Sequence, residues 1–84
     1  NATDRYRFIL TRVGKAHVLH VIDRTAGAAD YEAADLTVSL ETERFGRLKE
    51  ARLVASDTPL ETKRDGGLLT LQLRPDPVAS VVLR

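Results

Sequence analysis

Two histidines, His17 and His20, three serines, Ser39, Ser56 and Ser80, and a scatter of carboxylates are the groups from which any hydrolytic or metal site in this 84-residue chain would be built. The chain has no Cys, which removes disulfides, thiolate zinc sites and cysteine nucleophiles together. His17 and His20 are three residues apart in a run that reads as a strand, so their side chains point to opposite faces and do not grip one ion. No metal and no cofactor is expected. A serine nucleophile needs a neighbouring base and a sharp turn that exposes it, and none of the three serines lies in a G-x-S-x-G context. Glu41 and Glu43 extend the polar side of a clean strand and read as solvated charges rather than an acid–base pair.

Arg5, Arg7 and Arg12 interleave with Tyr6 and Phe8, the pattern of a basic aromatic patch for nucleic acid. Strand alternation separates the two sets, because the aromatics then face the core while Arg5 and Arg7 face outwards, so no base can stack beside them. The overall balance, 13 Lys+Arg against 12 Asp+Glu, also lacks the excess that a nucleic-acid surface carries. Sugar binding would need an exposed aromatic platform. The chain has no Trp, and Tyr31, in a loop, is the one candidate.

The elements that must hold these residues are short. Apolar residues alternate with polar ones in about seven runs bounded by Gly, Pro, Asp and Thr, the pattern of half-buried antiparallel strands. The runs cover residues 5–13, 16–23, 36–41, 48–55, 60–64, 69–73 and 78–83. Val13-Gly14-Lys15 supplies one tight turn and Asp65-Gly66 another, and Arg74-Pro75-Asp76-Pro77 ends a strand because proline donates no ladder hydrogen bond. One turn of helix fits residues 31–34. Residues 43–53 are ambiguous, since Phe45, Leu48 and Arg52 also have helical spacing, but Gly46 costs a helix about 1 kcal/mol relative to Ala and favours a turn at 44–46 followed by a strand. The expected fold is all-β, a small antiparallel β-sandwich of about seven strands, immunoglobulin-like.

The second run is apolar on both sides, with Leu19 and Val21 on one and Val18 and Ile22 on the other. A domain of this size has core enough to cover one side of each sheet well. A docking surface is therefore expected on the side bearing either His17, Leu19 and Val21 or Val18, His20 and Ile22. No apolar run approaches the roughly 18 residues of a membrane span, so no membrane partner is expected. Asn1-Ala2 is similar to the remnant left by proteolytic removal of an affinity tag, which places one domain over residues 3–84.

Residues 7–25, RFILTRVGKAHVLHVIDRT, give a strand, a short turn and a second strand ending in Leu19-His20-Val21-Ile22-Asp23-Arg24-Thr25. This run resembles the start of the small C-terminal β-domain of many glycoside hydrolases, with Asp23 where that family often has Asn. Leu36-Thr37-Val38-Ser39-Leu40 is similar to the family's third strand and residues 48–54 to the next. Asp65-Gly66-Gly67 through Leu73, with Val81-Val82-Leu83, resembles its closing hairpin and last strand. The resemblance spans nearly the whole chain and rests on pattern and order. It implies a non-catalytic accessory module whose partner is a preceding catalytic barrel domain, absent here, and in the isolated piece self-association of the bared surface. The competing expectation is an independent immunoglobulin-like binding or adhesion module.

Overall fold

The computed structural model describes residues 5–44 and 50–84. Among the described residues eight antiparallel strands form two layers, as the alternation of apolar residues requires: β1 (Tyr6–Val13), β2 (Ala16–Asp23), β3 (Leu36–Glu41), β4 (Ala51–Leu53), β5 (Thr58–Pro59), β6 (Thr62–Asp65), β7 (Leu68–Leu73) and β8 (Val78–Leu83). One sheet has the order β1-β2-β8-β4-β5 and the other β3-β7-β6. The small antiparallel β-sandwich expected from the sequence is thus present.

The core lies between the layers. Leu19 and Val21 of β2, Val81 and Leu83 of β8 and Ala51 of β4 meet Leu36 and Val38 of β3 and Leu69, Leu71 and Leu73 of β7. Each of these strands contributes every second residue, so one register error would expel a whole set of side chains. Two-residue loops fix that register. Val13 pairs with Ala16 across Gly14–Lys15, where Gly14 takes φ +61. Asp65 pairs with Leu68, so the second loop is Gly66–Gly67, with φ +56 and +88. The sequence placed this turn at Asp65-Gly66; the loop sits one residue later because both central positions need positive φ, which glycine alone adopts without steric cost.

Several boundaries differ from the expectation. The segment 31–34 is irregular rather than helical, and a single 3-10 turn instead follows β3 at Thr42–Arg44. Between the runs expected over 48–55 and 60–64 lies a further two-residue strand, β5, which pairs with β4. The strand expected over 48–55 is observed as Ala51–Leu53; its start, with most of the turn expected at 44–46, lies outside the described residues.

Three strands cannot cover five. At the β1 side Tyr6 is buried, but Phe8 and Leu10, on the same inward-facing side, remain 42% and 48% exposed. The expectation that the aromatics of β1 are both buried therefore holds for Tyr6 and fails for Phe8.

Candidate functional site

Leu19 and Val21 point between the sheets and are buried, which removes them from any docking surface. Val18, His20 and Ile22 point outwards and are half-buried. The ladder registers lay out this outer face in three rows. Arg7, Ile22 and Val78 form one; Ile9, His20, Ser80 and Val54 the next; Thr11, Val18, Val82 and Arg52 the third. Neighbouring strands are about 4.8 Å apart, so the rows make a continuous patch. Six of its members are Val or Ile, and Val78 and Val54 are 50% and 51% exposed. An antiparallel sheet with one wet side ordinarily carries polar residues there.

At the centre of the patch His20 Nδ1 lies 2.8 Å from Ser80 Oγ. The sequence did not pair these residues; they meet because His20 and Ser80 occupy the same rung of the β2–β8 ladder. A serine beside an imidazole is two parts of a hydrolytic site, and the other parts are missing among the described residues. No carboxylate hydrogen-bonds His20 to fix its tautomer, and no helix N-terminus supplies oxyanion donors nearby. The contact satisfies two polar side chains within an apolar surface. His17, three residues earlier, lies on the opposite side of the strand as expected. No group of three His, Asp or Glu side chains among the described residues could hold a metal ion.

Ser39 is exposed and lies near Thr70 Oγ1, and Ser56 accepts a hydrogen bond from Thr58 in a turn. Neither approaches a histidine. Glu41 pairs with Arg44 in solvent, and Glu43 is exposed in the 3-10 turn.

A second polar group lies at the end of β2. Asp23 is 1% exposed, although the sequence marks it only as the end of the second run. Arg5 donates to both its carboxylate oxygens, with the shortest contact at 2.9 Å, and Thr25 donates from its backbone N–H at 3.0 Å and its hydroxyl at 2.7 Å. Arg5 also donates to the Glu32 carbonyl and sits over the Tyr6 ring, 5.4 Å from its centre. The outward-facing arginine expected at position 5 is therefore a structural one; the exposed Arg7 fits the expectation. The Arg5 hydrogen bonds, reinforced by those from Thr25, outweigh burial and hold the Asp23 carboxyl down at about 2. The Asp23-x-Thr25 spacing of an Asx-turn was the signal available in the sequence.

Beside this cluster Arg5, Tyr31, Asp35 and Arg74 border an open depression of about 660 Å³. Tyr31 is half-buried, and its hydroxyl donates to Asp76 at 3.0 Å, which ties the loop to the segment before β8. Burial, then the Asp76 contact, pushes its pKa up. Comparison with protein-family models, curated proteins and solved structures returns no match. The resemblance to glycoside hydrolase β-domains accordingly rests on the residues that carry it.

Proposed function

We propose that this chain is a non-catalytic β-sandwich module that packs through the outer face of its five-stranded sheet against the catalytic domain of a carbohydrate-active glycoside hydrolase. The observation that carries the reading is the patch of Ile9, Val18, Ile22, Val54, Val78 and Val82 around the His20–Ser80 contact. Apolar side chains left in water across three adjacent strands and the residue after β4 lose the stabilisation that burial would give, roughly 25 cal/mol per Å². A covering domain recovers it. The flatness of a sheet face suits packing against another domain better than enclosing a small ligand. The chemical class of the partner comes from the sequence resemblance.

An independent binding module is the second reading, favoured by the depression bordered by Arg5, Tyr31, Asp35 and Arg74. Its two arginines are already held by carboxylates, Arg74 by Asp35 and Arg5 by Asp23, and the Tyr31 hydroxyl is engaged by Asp76, so the docking reading stands first.

Assay of the 84-residue chain against a panel of aryl glycosides and aryl esters is expected to give no turnover above buffer. Turnover that survives repurification and disappears in Ser80→Ala or His20→Ala would show that the central pair is a catalytic site and overturn the proposal.

A further inference from the structure

We infer that the free edge of β1 is a dimerisation surface, on which the β1 strand of a second copy pairs antiparallel to make one continuous ten-stranded sheet. This surface is distinct from the outer face invoked above, and the pairing leaves that face open.

Arg24 donates its N–H to the Arg5 carbonyl, which makes these opposed residues a hydrogen-bonded pair, and alternation gives Arg7, Ile9 and Thr11 the same role along the β1–β2 ladder. The N–H and C=O groups of Tyr6, Phe8, Leu10 and Arg12 therefore point away from β2. Among the described residues no strand pairs with that edge. Proteins commonly blunt such an edge by shortness, charge, proline or a bulge. β1 carries Arg7 and Arg12 but has eight residues, no proline and an unbroken register with β2.

The residues that offer this edge also carry the apolar side chains that the three-stranded sheet fails to cover, Phe8 and Leu10. With Leu19, Leu36, Val38 and Leu40, Phe8 borders an apolar cleft of about 320 Å³ that opens on the same side.

The occupant follows from the sequence of β1 itself. A two-fold axis at Ile9 opposes the outward-pointing groups of the two strands correctly and pairs Phe8 with Leu10 of the second copy twice over. The same register sets Tyr6 against Arg12 of the second copy and Arg7 against Thr11. No arginine opposes an arginine. Moving the axis one residue towards Leu10 sets Phe8 against Arg12 and loses the apolar match. Contacts related by such an axis close on themselves, giving a dimer rather than a fibre.

Ile9 meets Ile9 of the second copy in a non-hydrogen-bonded pair, where Cα atoms are about 4.5 Å apart, within the range a disulfide spans. Since the chain has no Cys, Ile9→Cys introduces a single thiol. Under mild oxidation Ile9→Cys is expected to form a disulfide-linked dimer at least tenfold faster than Val13→Cys, whose thiol sits at the exposed tip of the hairpin. Sedimentation of the unmodified chain is expected to show a mass rising from one chain towards two with concentration. Leu10→Pro removes an outward N–H without touching the β1–β2 ladder and is expected to leave a folded monomer. Ile22→Lys, on the outer face, is expected to dimerise as the parent chain does. The inference is overturned if the unmodified chain remains monomeric up to millimolar concentration, or if Val13→Cys cross-links as fast as Ile9→Cys. It also fails if a folded Leu10→Pro variant still dimerises, or if Ile22→Lys rather than Leu10→Pro abolishes association, which would place the contact on the outer face. Should Leu10→Pro unfold, the two cysteine variants decide the matter between them.

Discussion

Leu71→Ala is expected to destabilise the domain by about 2–4 kcal/mol, whereas Gln72→Ala, its neighbour on the same strand, changes stability by less than about 0.5 kcal/mol. Leu71 is 0% exposed at the centre of β7, opposite Val38 of β3 and Thr62 of β6, and truncating it leaves a cavity between the two layers. Gln72 points to solvent. At roughly 0.05–0.15 kcal/mol per residue a domain of this length has little reserve, so the first substitution removes a large share of the whole. Urea denaturation followed by far-UV circular dichroism measures both. Equal effects at the two positions would contradict the register of β7 and with it the layered packing.

The second large effect concerns Asp23. Its carboxyl has a folded-state pKa near 2 against an ordinary value of 3.8. A depressed pKa means that the unfolded chain binds the proton more readily than the folded one. The stabilisation is therefore complete above pH 4 and is lost as the pH falls from about 4 through 2. Asp23→Asn is expected to lower the melting temperature at pH 7 clearly more than Asp35→Asn, whose partner Arg74 and own carboxylate are both largely in solvent. It should also flatten the fall in stability between pH 4 and 2 relative to the parent chain. Thermal melts of the three proteins across that range give both comparisons. An Asp23→Asn variant with the parent's melting temperature and acid profile would remove the Arg5–Asp23–Thr25 cluster from the forces holding the end of β2.

The contrast between these residues shows what a sequence of this kind makes legible. Leu69, Leu71 and Leu73 declare their burial by alternation alone, as do Leu36 and Val38, because a period of two follows from the pleat whatever the strand pairs with. Asp23 does not declare itself. Its burial depends on Arg5, eighteen residues away, arriving across the β1–β2 ladder, and that meeting is a product of register. The His20–Ser80 contact is hidden for the same reason, being separated by sixty residues and joined by one rung. Likewise β2 announces that it is apolar on both sides, but which side is covered depends on where the three-stranded sheet lies. Phe8 shows the limit most plainly: its phase along β1 is correct for the core, yet the opposite sheet ends before reaching it.

The docking proposal makes its sharpest claim about the side chains of Val18, Ile22, Val78 and Val82. Hydroxyl-radical footprinting of the 84-residue chain, alone and expressed together with the coding sequence that adjoins it in its gene, reads their accessibility one by one. The expected result is a several-fold fall in labelling of these four residues in the longer polypeptide, with Val13 at the hairpin tip unchanged. Equal labelling of all five in the two proteins, or an adjoining sequence that encodes no folded domain, would contradict the account.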